Sequence, residues 1–240
     1  VSEFTFVFQN PDNGKIVIHT AVAGDHSDKS KQNEFNSGNY HFEIIDGNIV
    51  LLNILELEDV DGFRSMADNL FSECRKSGIS NLIIDLRNCP GGTTEIEKVL
   101  LPFIINQPAR LASWSEVTDA GPAKKEFRRG FSFMQRLIPM SAMGREVRDH
   151  AIRLNTGTRV FPLTDSVRFA GNVFVLTSGY TFSSASHLAL VIKDNHAGVI
   201  VGEETGGNAN SFGPAMSRVL PKTGIGYDIS YMFTGRPDAG

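Results

Sequence analysis

Leu82-Ile83-Ile84-Asp85-Leu86-Arg87-Asn88-Cys89-Pro90-Gly91-Gly92 passes from a short apolar run through a proline and two glycines into a stretch that reads as helix. The apolar run is too short for a helix and has the content of a buried strand. The helix that follows is marked by Ile96, Val99, Leu100 and Phe103 at helical spacing. The paired glycines allow a backbone with positive φ and leave N–H groups uncovered, which suits an anion nest or simply a tight strand-to-helix turn.

The same sentence of structure is written on both sides of this stretch. Upstream, His41–Leu55 reads as a hairpin turning at Asp46-Gly47, and Asp59 is placed to cap an amphipathic helix with Val60, Phe63, Ala67, Leu70, Phe71 and Cys74 on one face and Gly78 as its stop. Downstream, a strand over Val173–Thr177 runs into Ser178-Gly179-Tyr180-Thr181-Phe182-Ser183-Ser184-Ala185-Ser186 and a helix to about Asp194. A further strand, Val199–Gly202, exits into Glu203-Glu204-Thr205-Gly206-Gly207-Asn208. This rhythm predicts an α/β (α+β) fold with helices packed on a sheet. Three turns at strand exits should gather at one sheet edge, where such folds place their sites.

The flanks are less regular. Residues 3–8 and 15–22 predict a β-hairpin around Asn10–Gly14, and 23–40 has the polar, aperiodic content of a linker. Residues 1–40 are therefore expected to be a hairpin and linker belonging to an upstream domain, with the core at 41–240. The stretch 109–117 reads as a strand, and about 121–155, basic and aromatic without a clean stop, as a helical insertion. Two short strands are expected near 216–220 and 226–232.

With 240 residues, 41% hydrophobic and 21% charged, the chain can bury a sizeable core. Its net charge of −4 and the lack of a basic stripe beyond Lys124, Lys125, Arg128, Arg129 and Arg136 argue against nucleic acid. No apolar run reaches the roughly 18 residues of a membrane span. Cys74 and Cys89 form neither a disulfide framework nor a metal-ligand spacing, so no metal or cofactor is expected. The chain opens on Val1 with no signal-peptide pattern, which predicts a processed or trimmed product with sequence missing upstream.

Chemistry concentrates in the serine-rich turn. A Ser at a helix start is commonly a cap that satisfies orphan N–H groups. It can also be a nucleophile whose developing oxyanion profits from those N–H groups. Position alone leaves both open.

These residues resemble peptidase family S41, which includes the C-terminal processing proteases, the tricorn core protease and the interphotoreceptor retinoid-binding proteins. The resemblance covers roughly residues 40–235, with elements in family order. The family's D-L-R-x-N-x-G-G segment is similar to Asp85–Gly92, with Cys89 in the usual Asn place. Its nucleophile segment, a Ser three residues before a Glu, is similar to Ser183–Ser186, with Ser186 in the Glu place. The resemblance implies a crotonase/ClpP-like β-α core and a serine peptidase acting on protein or peptide substrates. It assigns Ser183 as nucleophile and the N–H groups of Ser184 and of Gly91 or Gly92 as oxyanion hole.

The base is open. The processing proteases carry a Lys where Asn208 stands, and an amide cannot take a proton; Lys193 and Lys222 read as solvated. The tricorn-like branch uses a His, but His19, His26, His41, His150, His187 and His196 each read more simply as surface or core residues. Asp238 is the candidate acid by its position near a C-terminal family segment, or else a turn aspartate at a frayed end. The resemblance further implies a periplasmic, envelope-associated or secreted location. Two competitors are a silent binding protein for a peptide or hydrophobic ligand and, against the Ser-rich turn, an acyl-thioester enzyme of the crotonase architecture.

Overall fold

A computed structural model describes residues 3–9, 16–22, 35–36, 38–119, 121–129, 131–148, 150–154 and 159–237. The chain divides into two units, 1–33 and 34–240. The first is an antiparallel hairpin of β1 (Glu3–Gln9) and β2 (Ile16–Val22), paired from Glu3↔Val22 to Gln9↔Ile16. The expected Asn10–Gly14 turn lies outside the described residues.

The second unit starts a few residues before the boundary expected at 40, because β3 (Phe35–Asn36) pairs with β4 (Tyr40–Asp46). Then β4 turns at Gly47 into β5 (Ile49–Ile54), and α1 (Val60–Ser77) follows. The Asp59 carboxylate accepts from Gly62 N at 3.1 Å and starts α1; Gly78, at φ 67°, stops it with its N–H on the Cys74 carbonyl. Next come β6 (Asn81–Asp85) and α2 (Glu95–Ile104), as the spacing predicts. Short β7 (Ala109–Arg110) and β8 (Trp114–Thr118) replace the single strand expected there.

The insertion differs from its expected form. Helices α3 (Gly121–Phe127), α4 (Phe133–Arg136) and α5 (Met140–Met143) are brief, and 144–154 is not helical but a hairpin of β9 (Gly144–Arg148) and β10 (Ala151–Leu154). The strand form wins because β10 finds a partner in β8, with Ile152 opposite Val117. Those two residues and Met140 make a small second core. Strand β11 (Arg159–Val160) then pairs with β7.

The main pattern resumes with β12 (Asn172–Thr177), α6 (Ser184–Asp194) and β13 (Val199–Gly202). The chain then forms β14 (Ser211–Phe212), the hairpin β15 (Ala215–Val219) and β16 (Gly226–Ser230), and β17 (Met232–Gly235). The central sheet has the order β13-β12-β6-β5-β4-β3, with β5, β6, β12 and β13 parallel. A five-stranded antiparallel sheet, β14-β17-β8-β10-β9, gathers the insertion and the C-terminal strands.

Burial alternates along β5 and β6, so one face of the central sheet is sealed. Val50, Leu52, Ile54, Leu82, Ile84, Val173 and Val175 on that face share one core with Phe63, Leu70 and Phe71 of α1, Leu100 of α2 and Leu188 of α6. Phe71 and Phe103 stack with centroids 4.4 Å apart, locking α1 to α2.

Candidate active site

Because β6, β12 and β13 are adjacent and parallel, their C-terminal residues Asp85, Leu176–Thr177 and Gly202 sit in register at one edge. The three glycine turns leave from there and are tied together. Leu86 N donates to Leu176 O at 3.0 Å and Phe182 N to Cys89 O at 3.1 Å; Gly206 N donates to Thr181 O at 2.9 Å. Side-chain hydroxyls complete the knot: Ser178 Oγ on Arg87 O at 2.6 Å, Thr181 Oγ1 on Leu86 O at 2.8 Å, Thr177 Oγ1 on Glu203 O at 2.8 Å and Ser186 Oγ on Thr181 O at 2.8 Å. Asp85, itself buried, grips Arg87 in a fork, with Nη2 to Oδ2 at 2.6 Å, and so stiffens the first turn.

Ser183 differs from these hydroxyl residues. It is exposed, and among the described residues its Oγ makes no hydrogen bond. It occupies the N-cap position of α6 without capping it. Its backbone, at φ 51° and ψ −125°, is one that a non-glycine residue adopts only under constraint. A serine on a sharp strand-to-helix turn, held in such a conformation, has its hydroxyl presented rather than used. The capping explanation left open by the sequence therefore fails.

Gly91, at φ 111°, lies directly against this turn: a Cβ there would be 2.9 Å from Phe182 O and Ser183 Cβ and 3.0 Å from Ser184 N. Gly92, at φ 139°, is pressed against Leu57, and flanking bonds from Leu57 N to Gly91 O (2.8 Å) and Thr93 N to Leu57 O (2.6 Å) hold it there. Ser184 N heads α6 and has no intrahelical partner. Among the described residues Gly92 N–H has none either. The Cys89 thiol beneath is fully buried, and burial raises its pKa against a smaller opposing effect of the Gly91 N–H.

Gly207 closes the third side, where a Cβ would fall 2.6 Å from Ser186 Oγ and 3.4 Å from Ser183 N. Asn208, the next residue, which the family resemblance sets in the place of a Lys, is exposed. Lys193 is exposed near the far end of α6, and Lys222 lies in the turn between β15 and β16. His41 stands on β4, His150 between β9 and β10, and His196 beyond the C-terminal end of α6. His19 belongs to the first unit, while His26 and Asp238 lie outside the described residues.

The residue that sequence reasoning missed is Glu97, wholly buried in α2, whose Oε1 lies 2.8 Å from His187 Nδ1 on α6. Burial raises the Glu97 pKa, with the His187 bond working against it. For His187 burial pulls downward, but the Glu97 bond and charge and the Leu111 backbone outweigh it and raise the pKa. Among the described residues His187 Nε2, Glu97 Oε2 and Ser184 Oγ are sealed without hydrogen-bond partners. The pair has the chemistry of a base and its orienting acid, yet among the described residues neither side chain is hydrogen-bonded to the Ser183 or Ser184 hydroxyl. Two cavities, of about 890 and 310 Å³, are lined mainly by the insertion, the larger also by Arg218 of β15 and the smaller by Asp119, and neither is lined by the three turns. Among the described residues no helix is long and apolar enough to cross a membrane.

Comparison with known proteins places this geometry. No curated protein matches the chain by sequence. Among solved structures, mature CPAF complexed with lactacystin is similar at 16% identity and a TM-score of 0.58, over 97% of this chain and 59% of that one. The photosystem II D1 C-terminal processing protease is similar at 15% identity and a TM-score of 0.52, over 98% of this chain and 51% of that one. The chain thus spans between one half and three fifths of the length of these structures, and the likeness is one of fold. The family model described as peptidase family S41 matches residues 48–236, which takes in all three turns. The chain belongs to peptidase family S41.

Proposed function

We propose that the chain is the core of a serine-type peptidase that cleaves peptide bonds through an acyl-enzyme on Ser183. The observation that carries this reading is the Ser183 backbone at φ 51° and ψ −125°, with an exposed hydroxyl that caps nothing. Ser183 Oγ attacks the carbonyl carbon and its proton leaves to a base. The carbonyl oxygen, now anionic, is held by Ser184 N–H and by Gly91 or Gly92 N–H. Expulsion of the amine, protonated as it leaves, gives the ester that water then hydrolyses. Strand β13 pairs on one side only among the described residues, so its free edge beside the site can take an extended substrate segment as an added strand. Asp238 is the acid by sequence position. The location that goes with a processing role is the periplasm, the envelope or outside the cell.

A second reading is favoured by Asn208 in the Lys place and by the absence, among the described residues, of an imidazole or amine bonded to Ser183 Oγ. It makes the chain a silent binding protein for a peptide or hydrophobic ligand. A fluorophosphonate probe separates the two. The first reading expects covalent labelling at Ser183, lost in Ser183→Ala; labelling that survives Ser183→Ala sinks it, and a wild-type chain that stays unlabelled supports the second.

A further inference from the structure

Glu97 and His187 stand outside the three turns, and neither the fold nor the proposed chemistry uses them as described so far. Glu97 lies on the buried stripe of α2 with Leu100, Leu101 and Ile104, where a leucine could sit. A buried carboxylate–imidazole contact carries a desolvation cost that an apolar pair avoids, so its presence calls for a reason other than stability.

The reason lies in what the bond joins. Helix α2 begins at Glu95, three residues beyond Gly92, and Glu97 is in its first turn. Helix α6 begins at Ser184, and His187 is in its first turn. Each helix is therefore led by one of the two turns that pack against each other at Ser183, the Gly91-Gly92 turn and the Phe182–Ser184 turn. The Glu97–His187 contact is the one side-chain hydrogen bond that joins α2 to α6 among the described residues. It is short and largely shielded from water, with the imidazole 13% and the carboxylate 0% exposed. Apolar packing between two helices tolerates small sliding and rotation; a buried bond of 2.8 Å holds a register.

We propose that Glu97 and His187 are positioning residues that set the distance between the two halves of the oxyanion hole, Ser184 N–H on one side and the Gly91-Gly92 segment on the other. This rests on the reading of Ser183 as nucleophile. A displacement of about 1 Å at a reacting centre lowers rate roughly 10²-fold, so a modest slip of α6 against α2 suffices to be seen.

The test uses the full chain and a fluorophosphonate, measuring the maximal acylation rate and the half-saturating probe concentration separately, with thermal unfolding alongside. Glu97→Leu is expected to lower the maximal rate about 10- to 100-fold while leaving half-saturation unchanged. Glu97→Gln, which keeps an acceptor for Nδ1–H, is expected to stay within about threefold of wild type. The double variant Glu97→Leu/His187→Leu removes the buried polar pair and is expected to regain thermal stability over either single variant yet to remain slow. A folded Glu97→Leu that acylates at the wild-type rate overturns the proposal, as does a double variant that regains rate together with stability, or a Glu97→Gln as slow as Glu97→Leu. If the wild-type chain is not labelled, the nucleophile assignment falls and this one with it. If it is labelled and the variants match it, only the positioning role is lost.

Discussion

Replacing Gly91 by alanine tests the proposed oxyanion hole where the Gly91 turn packs directly against the Ser183 turn. The backbone there is at φ 111°, outside the region open to L-residues, and the new methyl would meet Phe182 O and Ser183 Cβ at 2.9 Å and Ser184 N at 3.0 Å. The conformational strain is about 1–3 kcal/mol, and forcing a methyl against rigid backbone adds about 1–3 kcal/mol. For a chain of this size each kcal/mol lowers Tm by about 2–4 °C, so the combined cost of about 2–6 kcal/mol corresponds to a loss on the order of 4–24 °C. Because the strain is relieved by pushing the Gly91 segment away from Ser184, the acylation rate should fall about 10²- to 10³-fold, the effect of losing one oxyanion donor. Gly78→Ala is the control: at φ 67° with open space around its Cβ position, it should cost about 1 kcal/mol and leave acylation untouched. Differential scanning calorimetry and fluorophosphonate labelling read the two quantities. A folded Gly91→Ala chain that labels within threefold of wild type refutes the placement of this turn in the hole.

Three further outcomes follow from the same geometry. Ser183→Gly relieves the strain at φ 51° and should raise Tm by about 2–4 °C while abolishing labelling, whereas Ser183→Ala keeps the strain; a lowered Tm for the glycine variant contradicts the strained turn. The Glu97 and His187 pKa values are both raised, from 4.5 and 6.5, so the folded chain holds protons that the unfolded chain releases. Their contribution to stability is full at low pH and is lost as pH rises past those unfolded values and through the raised folded ones. With Lys98 and Glu95 left in place as the other charges acting on Glu97, the wild-type Tm should fall on raising pH across this window more steeply than that of Glu97→Leu/His187→Leu; parallel curves contradict it. Finally, burial pushes the Cys74 thiol up to about 12 and raises that of Cys89, so neither should react with an aromatic disulfide reagent until the chain is unfolded, and fast reaction of the native protein argues against their burial.

The elements legible in the sequence are those whose boundaries are written in local chemistry. Asp59 and Gly78 mark α1 because capping and left-handed stops need few residue types, and the exits of β6 and β13 are marked by glycines that must accommodate close backbone. The β9–β10 hairpin was not legible. Its corner carries no Gly or Pro, since His150 itself takes φ 54°, and its strand character comes from pairing with β8. Ser183 was legible as a position but not as a strained one, because serine at a helix start commonly caps. Glu97 was visible as a carboxylate on an apolar stripe, but its meaning lies in a residue 90 positions away.

The knot of turns joins segments far apart in the chain: Ser178 Oγ reaches Arg87 O across 91 positions and Thr181 Oγ1 reaches Leu86 O across 95. Such contacts form late, after the entropy of closing a long loop has been met. A nascent or partly folded chain therefore carries Ser183 as an ordinary hydroxyl on a flexible segment, with neither a strained backbone nor a facing Gly91. The strained Ser183 turn arrives together with the last long-range pairing, so, on the function proposed above, the topology itself keeps Ser183 from acting as a nucleophile before the chain is folded.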